Sequence, residues 1–457
     1  MLDFKDKNIL IFGLGVSGYA SAKFLLKKGY SVKISEAGSD ECIKSRINTL
    51  SGYDVEYESG GHTAAFCREA DISIVSPGIN VDNLVSSGIL SKEAFVIGTL
   101  ELGFLFCAAP IIAITGTNGK STVTELIGKI IISSGRHSVV CGNIGNPLIG
   151  EVDSLTKECI AVVEVSSFQL ETIGEFKPYV AVLLNVTEDH YDRHGGFDEY
   201  KRNKFQVFKN QTEDDWSVLC SDLKSDLIGK ELAGKTLFFG KSEVSAEVSG
   251  EKVFINRGNS EKKLIVLESE IVLRGTHNLV NIACAVLVAD ILGIDMSVII
   301  DAVKTFQGLG HRFELIGSFQ GIDFIDDSKA TNIDATRCAL GSLEKKAVLV
   351  AGGIDKGGDY SSISGLIKNK VKAIIAIGEA GDKIKGIFES IVPVFFASGM
   401  GDAVNMATEK ARKGDVVILS PMCSSFDMFS GYKERGEVFQ REVFRISGAR
   451  VETPNDT

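Results

Sequence analysis

Apolar and polar positions alternate in three series along the chain. The first, from residue 7 to about 98, sets the apolar run "NILIF" before a helical pattern in "YASAKFLLKKG" and a second run, "SVKIS". The second series begins at "PIIAIT", and the third contains "KAVLVAGG", "KAIIAIG" and "DVVILS". Short β-branched runs that alternate with helical patterns are typical of βαβ units. The pattern therefore predicts an α/β protein whose sheets are mainly parallel and flanked by helices.

The three series predict three domains. A chain of 457 residues is too long for one ordinary hydrophobic core, and domains of about 150 residues are typical. We place the boundaries at residues 1–98, 99–308 and 309–457. The interval 212–275 is charged and β-rich, with "KTLFFG", "EKVFINRG" and "KKLIVLESEIVLRG". We expect it to form antiparallel strands at the edge of the central domain.

Composition narrows the class of partner. The net charge of -11 and the pI near 5.3 disfavour binding to a nucleic-acid backbone, which requires a basic surface. Nine cysteines without a Cys-x-x-Cys pair indicate reduced thiols rather than a disulfide framework or structural zinc. The N-terminus lacks a signal-peptide pattern, and no stretch of about twenty apolar residues follows. We expect a cytoplasmic protein with no membrane partner.

The segment "ITGTNGKST", residues 114–122, resembles a phosphate-binding loop in which Ile114 replaces the first glycine. It lies between the strand "PIIAIT" and a helical pattern. Gly116 and Gly119 allow backbone N–H groups to surround an anion, while Lys120 neutralises phosphate and Ser121 can reach magnesium. The alternative is a glycine turn with an exposed lysine. Apolar residues recur on one face of the following helix: Val123, Leu126, Ile127, Ile130 and Ile131.

Acidic residues follow two other strands of the second series. Glu164 ends "CIAVVEV", and Glu188, Asp189 and His190 follow "VAVLLNV". Ligands of open α/β sheets bind beyond the carboxyl ends of strands, and magnesium prefers oxygen ligands. Glu164 and Ser121 are therefore candidate magnesium ligands, although a glutamate at a strand end is often only solvated. His190 is equally compatible with a metal ligand and with a surface group.

Lys204 lies on an apolar helical face. In "FDEYKRNKFQVF", three aromatic residues share this face at spacings of three and four: Phe197, Tyr200 and Phe208. Lys204 therefore points inward. Burial favours the neutral amine, which can react with carbon dioxide to give a carbamate. The alternative is an ordinary lysine with a buried stem and a solvated ammonium group.

The segment "GLGVSG", residues 13–18, has the spacing of a dinucleotide-binding turn. It follows a strand, opens a helix, and precedes Glu36 at the end of the next strand. The same construction binds any pyrophosphate that carries a ribose, so a nucleotide diphosphate is better supported than NAD. A purely structural glycine turn remains an alternative.

These segments together resemble the Mur ligases of peptidoglycan precursor synthesis. The resemblance rests on "GLGVSG", "SPGI", "GTNGKST", "GNIG", "EVSSFQLE", "NVTEDHYDRH", "RGTHNLVN", "GLGHRFE", "DDSKATN", "GGIDKGGD" and "SPMCSSFDMF", which follow one another over essentially the whole chain. It implies an N-terminal Rossmann-like domain, a central P-loop ATPase-like domain and a C-terminal Rossmann-like domain. These would bind a UDP-sugar, ATP and an amino acid, respectively.

The resemblance also implies roles for individual residues. ATP would contact Gly116, Thr117, Asn118, Gly119, Lys120, Ser121, Thr122, Asn278, Asn281, Arg312 and Asp327. One magnesium ion would bind Ser121 and Glu164, and a second would bind His190 and a carbamate of Lys204; the expected catalytic residues are Lys120, His190 and Lys204. The UDP-sugar would contact Val16, Ser17, Glu36, Gly78 and Asn143. D-Glutamate would contact Thr331, Lys356, Ser425 and Phe426. One departure concerns "AGS" after Glu36, where relatives often carry hydroxyl or basic side chains.

The implied activity is ATP-dependent addition of D-glutamate to UDP-N-acetylmuramoyl-L-alanine through an acyl phosphate, by a protein we expect to be a monomer. Two rival classes use only part of the sequence. An NAD-dependent dehydrogenase leaves "GTNGKST" without a role, and a P-loop nucleotide switch leaves "GLGVSG" without one. Folylpolyglutamate synthetase is the nearest enzyme alternative, but its family lacks the first domain.

Overall fold

A computed structural model describes residues 2–53, 55–187, 196–228, 231–241, 244–256, 262–273 and 275–447. The chain forms two compact units. The first comprises Met1–Val186, Lys201–Ile271 and Asn278–Phe306. The second comprises Thr187–Tyr200, Val272–His277 and the chain from Gln307 onward. Three sheets, one in each predicted domain, confirm the three-domain α/β fold.

The N-terminal sheet has five parallel strands in the order β3-β2-β1-β4-β5. The strands are β1 (Ile9–Phe12), β2 (Val32–Glu36), β3 (Val55–Ser59), β4 (Ile72–Val75) and β5 (Val96–Gly98). The helices are α1 (Val16–Lys27), α2 (Glu41–Thr49), α3 (Ala64–Cys67), α4 (Val81–Ser86) and α5 (Thr99–Phe106). All residues of β1 and β4 are buried, as expected for central strands covered on both faces.

The central sheet has nine strands in the order β14-β13-β12-β11-β10-β9-β6-β8-β7. The strands are β6 (Ile111–Thr115), β7 (Ser138–Gly142), β8 (Ile160–Glu164), β9 (Val180–Leu183), β10 (Trp216–Cys220), β11 (Lys235–Gly240), β12 (Ala246–Ser249), β13 (Lys252–Asn256) and β14 (Lys262–Leu267). The α-helices of this part of the chain are α6 (Lys120–Ser133), α7 (Leu148–Glu151), α8 (Ser167–Leu170), α9 (Phe197–Phe205), α10 (Thr276–Ile291) and α11 (Met296–Lys304). Short 3₁₀ helices cover Gln206–Phe208, Ser221–Leu227 and Glu268–Glu270.

The prediction for the interval 212–275 is partly wrong. Strands β12, β13 and β14 pair antiparallel, but β10 and β11 continue the parallel part of the same sheet. The connection from β10 to β11 includes the 3₁₀ helix Ser221–Leu227, which is long enough to carry the chain back to a parallel start. Antiparallel pairing begins only where a tight turn at Gly250, with φ of 58°, joins β12 to β13.

The C-terminal sheet has six strands in the order β15-β16-β20-β17-β18-β19, all parallel except the edge strand β15. The strands are β15 (Glu314–Phe319), β16 (Ile322–Asp326), β17 (Ala347–Gly352), β18 (Val371–Ile377), β19 (Val394–Phe396) and β20 (Val416–Leu419). The helices are α12 (Ile333–Ser342), α13 (Ser364–Lys370), α14 (Gly381–Phe388), α15 (Met400–Lys410) and α16 (Tyr432–Ser447), with a 3₁₀ helix at Tyr360–Ile363.

In the described ranges, every helix is too short or too polar to cross a lipid bilayer.

Candidate active site

The loop between β6 and α6 has the strand–turn–helix geometry that the sequence predicts. Gly116 has φ of 153° and Gly119 has φ of 86°, both in the region that favours glycine. Gly119 caps α6, and the predicted apolar face of that helix is fully buried. The first N–H groups of an α-helix have no partner within the helix and favour an anion. The loop is therefore built to hold a phosphate at the start of α6.

The tip of this loop is fixed by Asn185, which lies two residues after the end of β9. Its Oδ1 accepts hydrogen bonds from the backbone N–H of Thr117 at 3.1 Å and of Asn118 at 2.9 Å, and its Nδ2 donates to the Asn118 carbonyl at 3.0 Å. These hydrogen bonds hold the tip of the loop against the chain that follows β9. The sequence analysis missed Asn185, although a polar residue at the end of a strand beside β6 was a usable signal.

Two lysines lie against the same loop. Lys120 Nζ donates to the carbonyls of Gly116 at 2.9 Å and Thr117 at 2.8 Å. Lys204 Nζ donates to the Gly116 carbonyl at 2.8 Å, and its side chain is only 1% exposed. The inward direction predicted from helical spacing is thus confirmed. The spacing alone could not identify the phosphate loop as the element that Lys204 reaches.

Glu164 and Asn143 meet at the carboxyl ends of β8 and β7. Glu164 is 2% exposed, and its Oε1 accepts a hydrogen bond from Asn143 Nδ2 at 2.7 Å. Ser121, in the first turn of α6, and Glu164, the last residue of β8, are both buried, and they supply the oxygen donors that magnesium prefers. Thr115 Oγ1 is also buried, and it has no hydrogen-bond partner within the described part of the chain. This donor set fits a magnesium ion beside the phosphate loop.

Helix α10 packs against the phosphate loop at Gly119. An added Cβ on Gly119 would lie 2.5 Å from Asn281 Oδ1. The loop and α10 therefore pack too closely for a side chain at position 119. Asn278 Oδ1 accepts a hydrogen bond from Asn281 Nδ2 at 3.3 Å. The structure therefore brings the two predicted asparagines to the phosphate loop. His190, Glu188 and Asp189 lie outside the described residues.

The N-terminal glycine turn is organised around Glu36. The Glu36 carboxylate accepts hydrogen bonds from the backbone N–H groups of Leu14 and, at 2.7 Å, of Gly38. A Cβ on Gly18 would lie 1.8 Å from the Gly13 carbonyl oxygen, which explains the third glycine of the motif. Val16 is 57% exposed at the start of α1, Ser17 is partly exposed and Gly78 is exposed. The geometry is that of a nucleotide-binding turn.

The second unit contains a cavity of about 430 Å³. Its lining includes Lys356, Arg337, Asp334, Asp355, Thr187 and Tyr360. Of the residues predicted to bind D-glutamate, Lys356 lines this cavity. Thr331, Ser425 and Phe426 are not part of the lining, although their neighbours Asn332 and Met422 are; Phe426 is 71% exposed.

Arg435 holds together three loops that include predicted site motifs. Its guanidinium is 1% exposed and donates to Ser328 Oγ at 3.0 Å and to the Ser328 and Cys423 carbonyls at 2.8 and 3.2 Å. It also reaches the Gly352 carbonyl at 3.4 Å. Burial lowers the pKa of Arg435 to about 10. The sequence analysis missed this residue, because nothing in the helical pattern of α16 distinguishes a buried arginine from a solvated one.

Asp327 and Arg312, the remaining predicted ATP contacts, belong to the second unit. Asp327 accepts hydrogen bonds from Ser420 Oγ at 2.8 Å and from the Phe313 N–H at 3.2 Å. Burial raises the pKa of Asp327 to about 7.

Three family models match the chain in sequence order. The MurD-like N-terminal domain matches residues 7–98, the Mur ligase middle domain matches 114–289, and the Mur ligase glutamate ligase domain matches 311–423. A relative from Pelotomaculum thermopropionicum, named UDP-N-acetylmuramoylalanine--D-glutamate ligase, is 37% identical over 97% of this chain and 99% of its own length. The chain belongs to the Mur ligase family.

Solved Mur ligases share this fold at low identity. UDP-N-acetylmuramate-alanine ligase from Thermotoga maritima has a TM-score of 0.62 and 17% identity, covering 97% of this chain and all of its own. MurF ligase from the same organism, solved in complex with ADP, has a TM-score of 0.59 and 16% identity over 98% of this chain and all of its own. The likeness to these Mur ligases concerns the fold.

Proposed function

We propose that this chain is an ATP-dependent ligase that adds D-glutamate to UDP-N-acetylmuramoyl-L-alanine through an acyl-phosphate intermediate. The observation that carries the proposal is the full-length identity of 37% with a relative of that name. The phosphate loop, the N-terminal nucleotide turn and the cavity beside Lys356 supply one site for each of three substrates. We place the reaction in the cytoplasm and the active species as a monomer, with domains at 1–98, 99–308 and 309–457.

In the first step, a carboxylate oxygen of the substrate's L-alanine attacks the γ-phosphorus of ATP. A new P–O bond forms, the bond to ADP breaks, and an acyl phosphate results. Lys120 and the N–H groups at the start of α6 bind the phosphates and stabilise the charge that moves onto ADP. Asn278 and Asn281 would contact the nucleotide near its adenine and phosphates, and the resemblance adds Arg312 and Asp327 as further ATP contacts.

In the second step, the neutral amine of D-glutamate attacks the acyl carbon. A C–N bond forms, the C–O bond to phosphate breaks, and the nitrogen loses a proton. Lys356, Thr331, Ser425 and Phe426 orient the amino acid. Water has to be excluded, because it would hydrolyse the acyl phosphate before the amine could attack it.

Magnesium is the implied cofactor, and when bound it neutralises the charge of the transferred phosphate. Ser121 and Glu164 would hold one ion. A second ion would be held by His190 and by a carbamate of Lys204. In forming that carbamate, the neutral Lys204 nitrogen bonds to the carbon of carbon dioxide and releases one proton. The burial of Lys204 beside the phosphate loop supports this assignment, because burial favours the neutral amine.

The UDP-sugar site is tested by thermal unfolding with separate ligands. UDP-N-acetylmuramoyl-L-alanine should raise the melting temperature, since a ligand that binds only the native state stabilises it. NAD at the same concentration should leave the melting temperature unchanged, because the proposal assigns Val16, Ser17, Glu36, Gly78 and Asn143 to the UDP-sugar. A shift with NAD and none with the UDP-sugar would contradict the proposal and favour a dehydrogenase.

A further inference from the structure

The nucleotide turn of the N-terminal domain lacks a basic side chain in its own sequence. "GLGVSG" contains none, and the segment after Glu36 offers Ala37, Gly38 and Ser39. A site for a nucleotide diphosphate needs donors for phosphate oxygens and for the base. The N–H groups at the start of α1 serve the phosphates. The segment after Glu36 offers neutral donors such as the Ser39 hydroxyl, so a cationic donor for the base has to come from another part of the fold.

Arg46, on α2, reaches this turn. Its Nη1 donates to the Leu14 carbonyl at 2.7 Å, and the side chain is half-buried. Helix α2 begins after Asp40, whose side chain accepts a hydrogen bond from the Ile43 N–H at 2.9 Å. Ile43 is buried, and Arg46 lies three residues further on the same face. The helix therefore holds Arg46 against the turn.

The contact with Leu14 indicates which end of the nucleotide Arg46 faces. Both backbone polar groups of Leu14 are held by side chains, because its N–H donates to Glu36 and its carbonyl accepts from Arg46. In dinucleotide-binding folds, the acidic residue at the end of the second strand lies at the ribose, whereas the phosphates lie at the helix start. Because Arg46 and Glu36 bind the backbone of the same residue, the analogy with these folds places Arg46 on the nucleoside side of the turn.

The guanidinium keeps donors for a ligand. It has five N–H groups in a planar fork. Across the residues that the structure describes, the Arg46 guanidinium makes one hydrogen bond, to the Leu14 carbonyl, and no carboxylate lies within ion-pair distance of it. Uracil presents carbonyl oxygens, which accept hydrogen bonds from such donors.

We propose that Arg46 binds a uracil carbonyl oxygen of the UDP-sugar and so supplies the cationic base contact that the glycine turn and the segment after Glu36 lack. This inference rests on the proposed function. It adds a specificity-determining residue on α2 that the glycine turn and its acidic partner do not reveal. The same side chain also fixes the Leu14 carbonyl, so the base contact and the shape of the turn depend on one residue.

The test is a thermodynamic cycle of binding between Arg46 variants and uridine analogues. UDP, 2-thio-UDP and 4-thio-UDP are titrated into the full-length wild type, Arg46→Met and Arg46→Lys by calorimetry. Sulfur accepts hydrogen bonds weakly. If Arg46 contacts one uracil oxygen, the wild type should bind the analogue that carries sulfur at that position at least about fivefold more weakly than UDP. Arg46→Met should bind that analogue and UDP with equal affinity. Arg46→Met should bind UDP about tenfold to hundredfold more weakly than the wild type.

Two further variants, Lys44→Met and Arg46→Lys, distinguish a contact between Arg46 and the base from a purely structural role of Arg46. Lys44→Met removes an exposed cation from the same helix, where Lys44 pairs with Glu41 at 2.6 Å, and should leave every affinity unchanged. Arg46→Lys retains a cation and keeps the comparison available if Arg46→Met does not fold. An equal loss of affinity for all three nucleotides in both Arg46 variants would assign Arg46 to the turn alone and overturn the base contact. A wild type that binds no UDP would instead contradict the proposed function.

Discussion

Lys204 shows at the residue scale what sequence spacing can and cannot predict. The three-and-four spacing with Tyr200 and Phe208 predicts that the side chain points inward, and the structure buries it. The acceptor, the Gly116 carbonyl, belongs to an element 88 residues earlier in the chain. Local periodicity contains no information about such a tertiary contact. Burial was therefore predictable from the sequence, whereas the identity of the partner was not.

Lys204→Ala tests the proposed carbamate. The substitution should nearly abolish ligation while leaving UDP-sugar binding largely intact, because it removes a metal ligand and no nucleotide contact. Acetate or formate should restore part of the rate by supplying the missing carboxylate. Initial rates measured at controlled carbon dioxide check both effects. Lys201→Ala is the matched control on the same helix, since Lys201 pairs with Asp226 at 2.6 Å outside the phosphate loop.

Near-normal ligation by Lys204→Ala would contradict the carbamate role. It would leave the second magnesium ion to His190 and water.

The side chains of His311 and Asp326 form a pH-dependent pair. His311 Nδ1 lies 2.7 Å from Asp326 Oδ2, and this hydrogen bond raises the pKa of His311 above its usual 6.5. The pair therefore adds stability that is complete below pH 6.5 and is lost as the pH rises through the higher native value. The melting temperature of wild type should fall further between about pH 6 and about pH 9 than that of His311→Gln.

NMR titration of the His311 ring checks the cause directly. Asp326→Asn should lower the pKa of His311, because it removes the carboxylate that stabilises the imidazolium. Identical titration curves for His311 in the two proteins would show that another group sets its pKa.

At the scale of the element, the direction of strands was predicted best where helices separate them. The βαβ pattern correctly predicts parallel pairing in all three domains. It fails at β11, because "KTLFFG" has the same composition as the antiparallel strands that follow it. Strand direction there depends on the length and path of the connection through Ser221–Leu227. The residues of the strand do not encode that path.

The packing of α10 on the phosphate loop gives a prediction for Gly119. Alanine at this position would be strained by φ of 86°, and its Cβ would lie 2.5 Å from Asn281 Oδ1. Gly119→Ala should therefore displace the loop or α10 and raise the KM for ATP at least about tenfold. Steady-state kinetics at saturating UDP-sugar and D-glutamate measure this effect.

Gly135→Ala is the matched control for this substitution. Gly135 follows the other end of α6 with φ of 80°, but no atom lies within 4 Å of its added Cβ. Both variants share the backbone strain of about 1 to 2 kcal/mol, and only Gly119→Ala adds the clash. Equal KM values for ATP in the two variants would show that the contact with Asn281 is not needed for ATP binding.

For the whole molecule, the sequence indicated the three sheets and the two nucleotide-binding turns. These features rest on local patterns that repeat within about 30 residues. The contacts made by Asn185 and Arg435 were missed, because each joins loops that are distant in sequence. The cavity beside Lys356 was also not predictable, since it joins Asp334 and Arg337 of α12 to Tyr360 of the 3₁₀ helix Tyr360–Ile363. The proposal that D-glutamate binds there therefore depends on the family resemblance.

The central claim is that one enzyme couples ATP cleavage to joining the UDP-sugar and the amino acid. Phosphate release is the most direct measurement, with UDP-N-acetylmuramoyl-L-alanine and D-glutamate added to enzyme, ATP and magnesium separately and together. Sustained release should require both substrates, because the acyl phosphate forms on one and is consumed by the other. Rapid phosphate release in the absence of the UDP-sugar would contradict the ligase assignment and favour a nucleotide switch.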